Sequence, residues 1–408
     1  MPIEKPDMDR AAERGPPIPL WRWADRKLRE LAQSTGSELI SGLDGLTIIG
    51  ERGSARDFEI RGKRSAGVGG SRLNPTRDAS WFALTIMREG DRAYLPALFG
   101  MEGLETADED AIAAEILKHD AAGLLERGRA LGLPVASADE VPASPPVQIL
   151  SEGTSRPRKA GHRPLVIDMS AIWAGPLAGH LLWLAGADVV KVESRKRPDM
   201  IRSSDPQTFE IVNQGKDCIA VDLTDPGERE RLVQLIRSAD FVLEASRPRA
   251  LRQLGIDADQ LVREVPGLVW LSITGHGATG DAANWVGVGN DCAVAGGISR
   301  ALADATGQIG YVGDALADPL TGITAALEGW KCYKAGRGSR LGFSMSAIAA
   351  LALAEEREFD GEKLTEELRA WGGAVGKLFP YQPRRDVLAR VHNLGEDTQK
   401  WLGQLHPS

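Results

Sequence analysis

From residue 164 onward the chain alternates short, nearly all-apolar runs with longer runs of helical spacing. The apolar runs fall at 164–170, 187–192, 218–222, 240–244 and 268–273. Runs of that length and hydrophobicity are what strands covered on both faces require. Helical stretches separate them at 174–184, 226–238 and 251–264. Strand, helix, strand in regular alternation predicts an α/β fold with a Rossmann-like parallel sheet over residues 164–350.

The first part of the chain follows a different pattern. Leu20, Trp23, Leu28 and Leu31 stand near helical spacing with charges between them, which predicts a helical arm closing the first segment, 1–40. A short apolar run at 46–49, a glycine-rich loop at 62–71, a strand at 81–87 and an amphipathic helix at 110–129 follow. Together they predict a smaller α+β domain at 41–141. Residues 142–163 carry Pro, Ser, Gly and Arg without periodicity and read as a linker. Residues 351–408 are expected to form a C-terminal helical segment.

Composition narrows the function without naming it. The 408 residues carry a net charge of -8, which disfavours a general nucleic-acid binder because such proteins need a basic field. Cys218, Cys292 and Cys332 are widely spaced, with no CxxC or Cys/His metal pattern, so no metal is expected and a reducing cytoplasm is. No run approaches the roughly 18 apolar residues of a membrane span, so no membrane partner is expected. A dehydrogenase reading lacks a GxGxxG after the first strand; residues 174–179, AGPLAG, do not supply it.

Six stretches in order carry a resemblance: VIDMSAIWAGPLAGHLLWLAGADVVKVE (166–193), NQGKDCIAVDL (213–223), ADFVLEASRPRALRQLGI (239–256), PGLVWLSITGHGATGD (266–281), ADPLTGITAAL (317–327) and AGRGSRLGFSM (335–345). The second half resembles the family III CoA-transferases, the group of formyl-CoA transferase, carnitine CoA-transferase and the 2-methylacyl-CoA racemases. Residues 78–100 and 120–141 look like that family's small domain, placed here before the large one. The end, 393–402, resembles the family's ending. The arrangement is that of a circular permutation, which exposed termini and linkers tolerate. The resemblance implies coenzyme A as substrate and product, an acyl-CoA and a carboxylic acid as partners, and a homodimer, interlocked in family members.

It also implies site residues. Asp318 stands where the family places its catalytic aspartate. A carboxylate is ionised at neutral pH at its ordinary pKa of about 3.9 and attacks a thioester without a helper base. The bland alternative for Asp318 is a helix N-cap before Pro319, and Asp314 is a rival nucleophile. Gly67, Gly69, Gly70 and Ser71 resemble a glycine loop that folds over the acylated aspartate; a surface hairpin turn is the alternative. Ala174, Gly175, Pro176 and Gly275 are expected at the cofactor; for the first three, plain packing of helix on strand is the alternative. Arg195, Lys196, Arg197, Arg202, Lys216, Arg247 and Arg249 are candidate partners of CoA phosphates, against the ordinary fate of a solvated charged face. His276 stands where relatives often carry an aromatic residue and reads as a loop hydrogen-bonder. Asn290-Asp291 stands where the racemases carry a His-Asp pair. An amide does not exchange an α-proton, so racemisation is disfavoured beside CoA transfer. A non-catalytic CoA-binding partner subunit is the third reading.

Overall fold

The computed structural model describes residues 13–67, 70–159 and 161–403. Among these residues ten strands form two sheets: β1 Ser71–Pro75, β2 Trp81–Thr85, β3 Val135–Ser137, β4 Val147–Glu152, β5 Leu165–Met169, β6 Asp188–Ser194, β7 Asp217–Val221, β8 Phe241–Glu244, β9 Val269–Thr274 and β10 Ser339–Ser344. The large sheet runs β4-β10-β9-β8-β5-β6-β7, parallel throughout except that β4 pairs antiparallel with β10. Read from β5 as the first strand, the six parallel strands have the 3-2-1-4-5-6 order of dinucleotide-binding folds. The chain is therefore α/β, with a mostly parallel seven-stranded sheet and a small antiparallel one.

Burial on both faces explains why the strands lack polar alternation. In β8, Phe241 and Leu243 enter the core on one face, while Val242 enters the core on the other. Trp270 of β9 lies on Val242's side, and Val269 and Leu271 lie opposite. The helices Ala174–Leu184 and Ala317–Lys334 cover the first face; Pro226–Arg237 and Ala258–Glu264 cover the second. Ala317–Lys334 is buried on nearly every side, and glycine lets it approach its neighbours: a Cβ at Gly322 would lie 2.7 Å from the Ala174 carbonyl oxygen.

The small sheet, β1-β2-β3, is also used on both faces. Phe82 and Leu84 pack under Leu98, Ile112 and Leu124. Leu73, Ala83 and Ala136 face Val294, Ala295 and Tyr311, so the small sheet docks on the helix Gly289–Ala295.

Three expectations change in detail. Residues 142–163 are not all linker, because Val147–Glu152 supplies the antiparallel edge strand of the large sheet. The period-2 signal is hidden because these residues are only partly covered, with Ile149 53% exposed. The expected helix 110–129 is two helices, Glu109–Ile116 and Ala121–Ala130, and the Ala121 N–H donates to Asp78 at the break. The C-terminal segment is helical only from Met345 to Gly372, with a break at Asp360 (φ -160°, ψ 77°), and from Thr398 to Leu402. The Gly372-Gly373 pair ends the long helix, with Gly373 at its C-cap. The returning chain then covers the free edge of β7: Asp397 N–H donates to the Cys218 carbonyl, and Asp397 Oδ2 accepts from Cys218 N–H at 2.8 Å.

The arm helix, Trp21–Thr35, is clamped to the long helix by charge. Glu356 is fully buried and receives Arg22 at 2.8 Å and Arg26 at 2.6 Å. Removing it leaves Arg26 without an acid partner among the described residues and Arg22 with only Asp360 and Glu367, each at 3.6 Å. Glu356→Ala is expected to cost about 2–4 kcal/mol in a denaturant titration, with loss of the arm's amide-exchange protection first.

Candidate active site

The cavity lies at the carboxyl ends of the parallel strands, where the strand order reverses between β5 and β8. Open sheets bind ligands at that crevice. Its volume is about 490 Å³. The turns after β5 (Ala171, Ile172, Ala174, Gly175), β8 (Ala245, Ser246, Arg247) and β9 (Thr274, Gly275) line it. Thr85, Met87 and Arg88 reach it from the small sheet, and Arg52 from the helix Gly45–Ala55.

Asp318 lies on its wall, in the first turn of Ala317–Lys334. It does not cap that helix; Leu316 holds the cap position. Instead its Oδ1 accepts from the Ala174 N–H at 3.3 Å, the first residue of Ala174–Leu184. Its Oδ2 faces Gly289, the first residue of Gly289–Ala295, at a spot where no Cβ fits. Three helix beginnings thus converge on one carboxyl group, each supplying partial positive charge. Burial nevertheless dominates and pushes the Asp318 carboxyl up to about 7, opposed by the Ala174 N–H and the Arg52 guanidinium. This corrects the expectation of a carboxylate already ionised at its ordinary pKa.

The turn before Asp318 is held by Asn290, whose Oδ1 accepts from the Ala315 N–H at 2.9 Å, with Ala315 in the left-handed region at φ 46°. The turn presenting Ala174 is held likewise. Ile172 has φ 70°, and its N–H donates to Asp199 at 3.2 Å; Asp199 in turn takes Lys191 Nζ at 3.0 Å, both groups buried. Strained backbone at two turns is retained because buried polar groups fix it.

Asp314 is already occupied. Arg52 Nη1 donates to it at 2.5 Å and Arg52 Nε to Asp205 at 2.9 Å, while the guanidinium lies 5.5 Å from the Trp173 ring centroid. Burial raises the Asp314 carboxyl, and Arg52 opposes the rise. Gly67 abuts Asp314 where no Cβ fits, Gly69 lies outside the described residues, and Gly70 leads into β1 with φ 52°. Ser71 Oγ bonds Thr85 Oγ1 at 2.8 Å and Tyr311 Oη at 2.6 Å, tying that strand to the large unit.

The basic candidates separate. Arg247 lines the cavity, and Arg249 is exposed two residues beyond; neither has an ion pair among the described residues. Arg197 is exposed, Lys196 pairs with Asp222 at 2.7 Å, and Arg195 is tied to Glu228 and the Ala220 carbonyl. Arg202 binds Glu193. Lys216 is not a phosphate ligand. It is 1% exposed, and its ammonium is used by Asp168 at 2.7 Å and the Pro176 carbonyl at 2.8 Å. Pro176 therefore stands behind the cavity, while Ala174, Gly175 and Gly275 line it.

Arg52 and Trp285 were not singled out in the sequence. A lone arginine in a helix far ahead of the strand-rich region carries no local signal. Trp285, in a turn region, shields Arg129, whose guanidinium lies 3.8 Å from its ring centroid. Behind the wall His276, Asp291 and Cys292 are buried with ligand-type atoms within 4.8 Å of one another, a cluster that sequence spacing does not announce. Burial lowers His276 to about 3 and raises Asp291 to about 8.

Residues 164–367, half of the chain, match the family model described as CoA-transferase family III, and the chain belongs to that family. It is 29% identical over 208 residues to succinate–glutarate CoA-transferase of Agrobacterium fabrum, covering 47% of this chain and 52% of that protein. It is 28% identical over 244 residues to acetyl-CoA:oxalate CoA-transferase of Acetobacter aceti, covering 55% and 59%. A solved hypothetical protein from Mycobacterium tuberculosis is 27% identical, covering 50% of this chain and 60% of that one, at TM-score 0.45. The chain spans about half the length of the curated relatives it matches. No helix among the described residues is long and apolar enough to cross a membrane.

Two stability predictions follow from the buried charges. Lys216→Met strands the Asp168 carboxylate and is expected to cost about 3–5 kcal/mol by urea titration. Asp318 works in the opposite sense. The folded chain holds its proton up to about pH 7, the unfolded chain only to about 3.9, so the folded state binds more protons between those values. Asp318 therefore costs stability progressively as pH rises from 4 to 7. Asp318→Asn is expected to gain on the order of 4 kcal/mol over wild type between pH 4 and pH 8, read as a widening difference in unfolding midpoints.

Proposed function

We propose that the protein moves coenzyme A between an acyl-CoA thioester and a carboxylic acid, with Asp318 as the covalently acylated group. The observation that carries this reading is the placement of the Asp318 carboxyl on the cavity wall against the Ala174 N–H, where three helices begin. In this reading the carboxylate attacks the thioester carbonyl, forming a mixed anhydride and releasing CoA thiolate. The thiolate attacks the aspartyl carbonyl of the anhydride, giving aspartyl-CoA thioester and the free donor acid. The acceptor carboxylate attacks that thioester to form a second anhydride, and the thiolate then takes the new acyl group and frees Asp318.

The surroundings suit each step. The Ala174 and Gly289 N–H groups, which meet the Asp318 carboxyl, stabilise the oxyanion of the intermediates formed at the aspartyl carbonyl. Apolar side chains on the wall, among them Met169, Ile172, Ile273 and Met345, limit the water that reaches the anhydride. Arg52 is taken by Asp314 and Asp205, which leaves Asp318 as the carboxyl with backbone N–H donors and no ion pair among the described residues. Arg247 and Arg249 are the cations best placed for CoA phosphates, being exposed at the carboxyl end of β8. Asn290 in place of an imidazole argues against α-proton exchange.

The ionised carboxylate is the reactive form, and its pKa is about 7. Hence kcat/KM for transfer should rise about tenfold per pH unit below 7 and level off above it. Asp318→Ala is expected to lose about 10³-fold or more in rate. Hydroxylamine added during turnover should leave a hydroxamate on Asp318 by mass mapping. An active enzyme with no modified Asp318 and a fully active Asp318→Ala variant would overturn the assignment.

A further inference from the structure

We infer that His276, Asp291 and Cys292 form a binding site for one zinc ion behind the cavity wall, independent of the transfer reading above. Their ligand atoms, one from each side chain, lie within 4.8 Å of one another. His276 Nε2 is 3.8 Å from Asp291 Oδ2, too far for a hydrogen bond, and Cys292 Sγ is 3.9 Å from the same oxygen. In a tetrahedral zinc site such atoms stand about 3.3–3.6 Å apart, so each of these two separations need shorten by only about 0.3–0.5 Å. All three side chains are buried, and His276 Nε2 has no hydrogen-bond partner among the described residues. A buried ring nitrogen left unpaired is costly, and this one faces a carboxyl group and a thiol.

Imidazole, carboxylate and thiolate all belong to zinc's ordinary ligands. Burial keeps the His276 ring neutral, with a lone pair to give, and keeps protons on the Asp291 carboxyl and the Cys292 thiol. An entering Zn²⁺ displaces those two protons, and its two charges then match one carboxylate and one thiolate. Arg129, which lies over Trp285 beside His276, is already paired with Glu140 at 2.7 Å and so offers little opposition to a cation. Outer contacts hold the ligands in place: Asp291 Oδ1 accepts from the Val288 N–H at 3.1 Å, and Cys292 Sγ lies 3.4 Å from the Gly275 carbonyl oxygen, a fourth donor at hand. Gly287 lines the cavity on the near side of the cluster, and a Cβ there would lie 2.6 Å from Cys292 Sγ and 3.0 Å from His276 Nε2. Its missing side chain leaves those two atoms free to close on an ion that enters from the cavity. The other such group, Asp217, His392 and Asp397, is already spent: Asp217 takes Lys400 and Trp401, and Asp397 takes His392 and the Cys218 N–H. A zinc ion at His276 would tie the turn after β9 to the helix whose Gly289 N–H meets Asp318.

The test uses the full chain, stripped of metal by a chelator and titrated with zinc against a chromophoric competitor. One equivalent is expected to bind and to raise the unfolding midpoint. Cobalt(II) in place of zinc is expected to show a thiolate-to-metal charge-transfer band in the near ultraviolet. Cys292→Ser and His276→Ala should each weaken zinc binding at least about 100-fold, and Cys292→Ser should abolish the cobalt band. Asp291→Asn, which keeps the shape of the side chain, should weaken binding at least about tenfold. His392→Ala is expected to leave uptake unchanged. Near-ultraviolet circular dichroism of the metal-free variants shows which keep their fold; where one does not, the cobalt band of the wild type decides, because the His392 group contains no thiol. Wild-type binding no tighter than that of folded Cys292→Ser, a cobalt complex without the thiolate band, or loss of uptake in His392→Ala overturns the inference.

Discussion

Keeping a carboxyl group buried beside a carbon-rich cavity is unfavourable unless backbone dipoles meet it from several directions. Much of the site follows from that requirement at Asp318. Gly289 has no side chain because the carboxyl occupies the space, and Gly322 lets the helix carrying Asp318 press against the helix whose first N–H it uses. Asn290 fixes one turn and the Lys191–Asp199 pair the other, each against backbone that a non-glycine residue rarely adopts. The structure accepts two strained residues and a buried ion pair to hold one acid in place.

The cavity is assembled from parts distant in sequence. Arg52 and Arg88 precede the parallel sheet, yet both line the wall together with Asp318 and Arg247. What joins the halves is mostly hydrophobic: Ala83 and Ala136 of the small sheet against Val294 and Ala295, with the Ser71–Tyr311 hydrogen bond beside them. Moving the small unit to the front of the chain therefore need not disturb the site, because its position depends on an interface and not on the direction of the connection.

The parallel sheet was legible because its strands are buried on both faces and read as unbroken apolar runs, as in 240–244 and 268–273. Asp318 was singled out through motif resemblance and lies on the cavity wall, although its environment was not legible. Nothing local to ADPLTG shows that Ala174 and Gly289 will meet the carboxyl and that burial will outweigh them. Lys216 misled for a related reason: it follows a glycine turn near a sheet edge, and only the fold shows Asp168 consuming its charge. β4 was hidden because a half-covered edge strand bounded by prolines resembles a linker. Arg52 lacked any cue, since its three acidic neighbours lie at 205, 314 and 318.

Strand β4 also sets a timetable for synthesis. It is complete at residue 152, but its partner β10 begins at residue 339. At roughly 5–20 residues per second, the gap on the ribosome is on the order of 10–40 s. Throughout that interval a strand with outward-facing Ile149 has no neighbour, and the Ala83 face of the small sheet lacks its cover until residues 294 and 295 emerge. Strands left open in this way are where nascent chains pair wrongly with one another. The prolines that bracket β4 shorten the segment open to such pairing, so the stretch that looked like a connector doubles as a safeguard during translation.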